Sequence, residues 1–405
     1  MIGAGAAGLC AAISAAEAGA CVLLLEKNPH AGIKILMSGG TRCNITQNTD
    51  NRGIIRAYGE QGKFLHSALA TLSVEESIAL FENEGVATKI EETNKIFPVS
   101  NRASDVVDAL VRRLKRTNAE LRLKAPVTAI EREGEQFVIT TPTETLRVAR
   151  LILTSGGKSY PGSGTRGEGY TWAEALGHTI VPTRPALVPL TTNTEWVKDL
   201  RGITLADVQV TIMDGDKPLA ARRSSLLFAH FGMTGPAALD VSRAVSGHSK
   251  KSSLVAELDL FPDQKEHLLE ERLRDQSAAF GRASLLAWLV EGIPRRIAEL
   301  ILEQANVPAD RKLAELGKDE RRRVIRLCKH WPLPLTGTLG FEKAEVTAGG
   351  VALDEVDSRT MQSKLVSGLY FAGEVLDLDG PIGGYNFQAA WSTGWLAGQS
   401  AARAS

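Results

Sequence analysis

The sequence predicts an α/β fold with a doubly wound, Rossmann-type domain built from both ends of the chain and a different architecture inserted between them. Three observations predict it. The chain opens on Gly3-Ala4-Gly5-Ala6-Ala7-Gly8 and an Ala-rich helical run, followed by an apolar strand that ends in Glu26. Near its end, Leu369 to Ala372 reads as a second buried strand running into Gly373-Glu374, after which Gly383-Gly384 opens a last apolar helix. Between these ends the pattern changes to short strands with turns and then to helices.

The opening turn can lie against a pyrophosphate and starts a helix whose N-terminal N–H groups favour negative charge. Gly3 allows the turn, Gly5 removes a Cβ that would meet the phosphate, and Gly8 lets helix and sheet approach closely. Ala6 and Ala7 place their amides in the same cradle. Leu9, Ile13 and Ala16 share one face of the following helix. Cys21 to Leu25 is an apolar run of the kind a parallel strand shows. Glu26 follows Gly8 by 18 residues, against about 20 for the acid that holds a ribose hydroxyl. Only Met1 and Ile2 precede Gly3, where about five residues are usual for a strand; the expectation is a start upstream or a truncated central strand.

Composition limits the alternatives. The 47 basic and 47 acidic residues give no global attraction to nucleic acid or anionic membrane. No apolar run reaches the roughly 18 residues of a membrane span. The four cysteines show no CxxC pairing, which suggests a reducing, cytoplasmic setting.

In chain order, Lys34 to Asn44 forms a second Gly-rich piece in which Lys34 and Arg42 can meet phosphates and Ser38 can donate to them. Ser73-Val74-Glu75-Glu76 is a capping box, opening a helix that stops at Gly85. Val106, Leu110 and Leu114 mark another helix, and Leu121 to Val148 reads as an antiparallel meander with turns at Glu133-Gly134 and Thr141-Pro142. The buried strand Leu151 to Leu153 empties into Thr154 to Tyr170, rich in Gly, Ser and Thr, where an open α/β sheet puts its ligand. The boundaries expected are 1–186 for the first part of the nucleotide domain, 187–262 for a β subdomain, 263–335 for a helical subdomain and 336–405 for the second part. Phe228 to Pro236 reads as a loop, and 311–330 carries eight Lys or Arg against three acids.

These motifs together resemble the YhiN/BaiN-like flavoproteins, also called the HI0933-like or aminoacetone-oxidase-like group. The likeness runs through Gly3–Gly8, Lys34–Asn44, Ile96–Ser100, Gly156–Tyr170, His230–Pro236, Val346–Gly350 and Ala372–Phe387, with Gly-Gly-Tyr-Asn-Phe-Gln the most specific piece. It differs locally: Thr41 stands for a usual third Gly, Asn94-Lys95 for Gly-Arg, and Glu168 for Asp. The resemblance implies an FAD-dependent oxidoreductase with an inserted β-barrel-like subdomain and a small helical one. It implies that Gly3, Gly5 and Gly8 hold the pyrophosphate and Glu26 the ribose. Lys27, Lys34, Ser38, Gly39, Gly40, Arg42 and Cys43 would continue along the diphosphate and ribityl chain. Val127 would meet the adenine, Thr154 and Gly156 the nucleotide, Gly373 and Glu374 the ribityl, and Gly384, Tyr385, Asn386 and Phe387 the isoalloxazine.

A flavin carries the hydride chemistry, so the protein needs to supply orientation and one proton. No Ser/His/Asp or metal-ligand constellation is evident. Cys43, His230, Tyr160 and Tyr385 are the candidate proton donors, with Arg42 expected to lower the Cys43 thiol. NADH or NADPH is the expected transient reductant. The resemblance admits uridine reduction in ribosomal RNA, with 311–330 gripping phosphates, or turnover of a small enone or amino ketone. A flavin-binding redox sensor is the alternative outside catalysis.

Overall fold

In the computed structural model, which describes residues 1–403, Ile2 occupies the centre of a parallel sheet as a single bridge to Leu25 on one side and Leu153 on the other. The Ile2 amide donates to Ile152, the Gly3 amide to Leu25, and the Thr154 amide to Ile2. Met1 and Ile2 thus lie in the central position of the sheet. Leu23–Leu25 pairs outward with Glu120–Arg122, and Leu151–Leu153 pairs with Leu369–Phe371, both parallel. The expected meander begins later than Leu121. Glu120–Arg122 joins the parallel sheet, while Ala129–Glu133, Gln136–Thr140 and Thr145–Val148 form the antiparallel meander.

The chain divides into Met1–Pro185 with the chain from Glu345 onward, and Ala186–Ala344. In the first unit, helix Ala6–Glu17 follows the Gly-rich turn and lies on helix Tyr385–Arg403. Small residues permit that contact: a Cβ on Gly394 would lie 2.3 Å from the Ala7 carbonyl oxygen, and one on Gly398 2.2 Å from that of Ala11. Helix Val74–Asn83 opens on the expected capping box of Ser73 and Glu76. Farther round the unit, the buried His178 ring has Nδ1 3.1 Å from Glu355 and Nε2 2.8 Å from Ser363 Oγ. Ser363 Oγ accepts from the Leu365 and Val366 amides, so its own hydrogen points to Nε2 and Nδ1–H donates to Glu355.

In the second unit seven strands form one antiparallel sheet with Trp331–Pro334 and Gly337–Thr338 at its two edges. Thr204–Asp214 and Lys217–Ala229 are its long central hairpin, turning at Gly215 as the sequence indicates. Four helices lie in the stretch expected to be helical: Glu266–Ala279, Leu285–Val290, Arg295–Gln304 and Lys318–Lys329. Strands and helices expected as two inserted pieces, 187–262 and 263–335, share one core from Leu190 to Leu335. Trp331 is fully buried in it, stacked on Trp196 at 4.6 Å with Phe228 beside it. The loop expected over Phe228 to Pro236 is a tight hairpin instead: Ala229 pairs with Gly232 across His230-Phe231, and a helix starts at Pro236. Gly232 lies with φ +148° against the Leu190 carbonyl, a close approach that reads as a loop in sequence.

Candidate functional site

The site is built where the parallel strands of the first unit end. Gly5 is the N-cap of the first helix, with no side chain capping it and no acid in the first turn, so the Ala6, Ala7 and Gly8 amides are left for an anion. A Cβ on Gly5 would meet nothing within 4 Å, whereas one on Gly8 would lie 1.8 Å from the Gly3 carbonyl oxygen and 2.7 Å from Thr154 Oγ1. The glycines thus do two different things. Gly8 admits the turn itself, and Gly5 leaves its outer side open. Thr154 Oγ1 completes the cradle by donating toward the Ile2 and Gly3 carbonyls at 3.0 and 2.8 Å.

Glu26, buried at the end of its strand, accepts from the Ala4 amide at 2.7 Å and from the Asn28 amide at 2.9 Å. Its carboxylate is thereby held beside the Gly-rich turn, the place a ribose-binding acid requires. The Ala125 amide donates to the Glu26 carbonyl, bringing the segment that leads to Val127 alongside. Lys27 pairs with Glu168, and Asn28 Nδ2 reaches the Ser163 carbonyl, so the Gly- and Ser-rich loop is tied to the same edge.

On the other side, Lys34 donates to Ser159 Oγ at 2.6 Å and pairs with Glu374. Glu374 also accepts from the Thr347 amide at 2.9 Å and from Ser159 Oγ. This carboxylate gathers three separate segments, while Gly373, at φ +74°, passes beside Ala7 where an added Cβ would come within 2.8 Å. Gly156 (φ +75°) and Gly384 (φ +93°) turn the chain in the same way, Gly384 against the Thr46 backbone. Ser159 and Thr347 lie in the Gly156–Tyr170 and Val346–Gly350 motifs, but their partnership joins residues 188 apart, and no local signal announces it.

Several expected ligands are engaged by the protein. Ser38 Oγ donates to the Ile35 carbonyl at 2.7 Å, and Arg42 pairs with Glu91 while lying 4.1 Å from the Phe97 ring centroid. Cys43 corrects the expectation of a thiol lowered by Arg42. It is fully buried, and burial pushes the thiol up to about 12 against a small opposing hydrogen bond from Ser38. Asn386 donates to the Gly380 and Pro381 carbonyls and accepts from the Gly380 amide, so its side chain staples the 380–384 loop. Tyr58, buried behind that loop, donates to the Tyr385 carbonyl at 3.1 Å. Phe387 stacks on Trp391, and Gln388, fully buried, bonds Thr46, Ser77 and Ser392. Tyr385 is half-buried at the start of the last helix, and His230 stands exposed at the hairpin tip of the second unit.

The backbone at Thr41 suits the glycine that the resemblance implies there. Gly39, Gly40 and Thr41 are three successive left-handed residues, at φ +55°, +67° and +68°. A non-Gly residue there costs about 1 kcal/mol. Asn94, the other substitution for glycine, also sits at φ +58°, a conformation asparagine tolerates.

The donor set fits a dinucleotide: an uncapped helix N-terminus, an open face over Gly5, and a buried acid at the strand end. The family model for the HI0933-like protein Rossmann domain matches residues 1–400. A ribosomal RNA dihydrouridine synthase from Escherichia coli (strain K12) is 36% identical over 98% of this chain and 96% of its own length. A 3-dehydro-bile acid delta(4,6)-reductase from Clostridium scindens is 31% identical, covering 99% of this chain and 98% of its own. Among solved structures, a 3-ketosteroid-delta4-(5alpha)-dehydrogenase from Rhodococcus jostii superposes with a TM-score of 0.52 over 100% of this chain and 96% of that one. At 15% identity that likeness concerns the fold. Among the described residues, no single helix is long and apolar enough to cross a membrane.

Proposed function

This chain belongs to the HI0933-like family of FAD-dependent oxidoreductases, and we propose that it reduces uridine to dihydrouridine in ribosomal RNA. The observation that carries this reading is the pair of relatives named for that reaction, 36% and 34% identical and matched over 96% and 98% of their own lengths. The reaction saturates a carbon–carbon double bond conjugated to a carbonyl, so one carbon takes a hydride and its neighbour a proton. Bound flavin supplies the hydride, with NADH or NADPH as its transient reductant.

The chain's own part is to bind and to protonate. Gly3, Gly5 and Gly8 with the Ala6 and Ala7 amides hold the diphosphate, and Glu26 holds the ribose. Glu374, fixed by Thr347, Ser159 and Lys34, keeps the Gly373-Glu374 backbone at the ribityl chain. Tyr385, half-buried at the start of the last helix beside the residues expected at the isoalloxazine, serves as the proton source; Cys43 is fully buried, and His230 stands exposed at a hairpin tip of the second unit. The work is done in the cytoplasm, where the substrate is.

A second reading, reduction of an enone in a small molecule, is favoured by the 31% identical relative named as a bile acid reductase. Both are tested by reducing the purified flavoprotein anaerobically and adding either unmodified ribosomal RNA or a small cyclic enone. Flavin reoxidation by RNA, with dihydrouridine found by mass spectrometry of the digest, is the expected result. Reoxidation by the enone alone overturns the RNA reading in favour of the second. Reoxidation by neither leaves a redox sensor.

A further inference from the structure

Leaving aside the exposed Lys312, which precedes the helix, the cations of 311–330 fall into two groups. Arg311 pairs with Glu320, Arg321 donates to the Leu316 carbonyl, and the buried Lys329 ammonium is held by Asp259 and the Phe261 and Gln264 carbonyls. These three hold the fold. Lys318, Arg322 and Arg326 instead recur at four-residue intervals on helix Lys318–Lys329, all exposed. Among the described residues no hydrogen bond or ion pair engages their side chains. Arg323 lies beside them, exposed, with Nε on the Ala305 carbonyl, and Asp319 is the acid on this face. Val324, Ile325, Cys328 and Lys329 turn the adjoining face into the core.

We propose that Lys318, Arg322 and Arg326 form a docking ladder for the phosphate backbone of RNA. The inference rests on the RNA reading above and adds where the polymer is gripped. Successive cations are about 6 Å apart along the helix axis, a row of single charges suited to a polymer with one charge per repeat. Two of the three are guanidinium groups, which take phosphate oxygens in a bidentate fork. The chain's balanced charge gives no general attraction to polyanions, so attraction has to come from such a local row. None of the exposed large apolar side chains lies on this helix, and insertion into a lipid surface needs them.

The test is the salt dependence of binding to a ribosomal RNA fragment by the FAD-loaded protein and its K318Q/R322Q/R326Q variant. Glutamine keeps helix propensity close to that of Lys and Arg. With three phosphate contacts removed, the slope of log affinity against log salt should fall by about 2 for a single strand and nearly 3 for a duplex. Flavin reduction and reoxidation by a small enone should not change. R295Q, which removes a cation paired with Glu299, should leave the slope unchanged. If the triple variant melts early, R322Q alone should still lower the slope by about 1. An unchanged slope in a folded variant that still modifies RNA overturns the ladder and leaves the RNA reading standing. Wild-type protein that neither binds nor modifies RNA removes the reading and the ladder together, and binding to anionic vesicles in place of RNA overturns it in favour of a membrane.

Discussion

Around the Gly3–Gly8 turn and its partners the structure depends on close backbone approaches, whereas Ala186–Ala344 is a scaffold of packed side chains. Gly8, Gly373 and Gly384 each occupy a place where a Cβ would come within 2.8 Å of another atom. Gly202 and Gly215 in the second unit are also left-handed, yet a Cβ there would meet nothing within 4 Å; Gly232, 2.2 Å from the Leu190 carbonyl oxygen by the same measure, is the close approach in that unit's sheet. The second unit is held by large apolar groups such as Leu226, Phe228, Leu258 and Trp331, all fully buried. At the Gly3–Gly8 turn substitution should therefore do harm by adding atoms, and in the core around Trp331 by removing them.

The largest effect expected is at Gly8. G8V drives atoms into the Gly3 carbonyl, so the purified protein should be colourless, with destabilisation of about 3 kcal/mol or more. The matching G202V should retain its visible flavin spectrum, and equal loss in both would break the comparison. Next comes L258A, which removes a fully buried side chain from the second unit and should cost 2–5 kcal/mol in denaturant unfolding. A loss below about 1 kcal/mol would mean that this core is loosely packed.

A smaller effect concerns pH. Burial holds the His178 imidazole below its ordinary value, with Glu355 opposing. A group that is harder to protonate when folded stabilises the protein above its unfolded pKa. Stability should be full above about pH 6.5 and decline as pH falls from there toward the folded-state value. H178N should flatten that decline in melts taken across pH 5 to 8; an unchanged pH dependence would remove His178 as its source. The smallest expected change is a gain: T41G relieves the left-handed strain at φ +68° and should add up to about 1 kcal/mol, read in the same melts.

What could be read from the sequence was what is local. The first helix, the Ser73 capping box, the Gly215 turn and the final helix are each specified by residues within a few positions of one another. The hairpin at His230 was hidden because Gly232, besides meeting Ala229 across the turn, owes its strand character to pairing with Thr191, 41 residues earlier. The motif glycines were legible for the same local reason. The fates of Lys34, Arg42 and Asn386 were not, since each is set by a partner the sequence does not place beside it: Glu374, Glu91 and Gly380. Arg42 beside Cys43 suggested an activated thiol, and the guanidinium turns away to Glu91 and Phe97.

The contact of the first helix with the last, through Gly394 and Gly398, also sets a timetable. Domains tend to fold as units while the chain is made, at about 5–20 residues per second. Ala186–Ala344 is continuous and can fold once it has emerged. The Gly3–Gly8 turn instead waits for a helix synthesised nearly the whole chain later, an interval of about 20–80 s. Cofactor capture is therefore a late event in the life of each molecule, and a ribosome stalled before Tyr385 would release an inserted unit ready to fold on a host still lacking its closing helix.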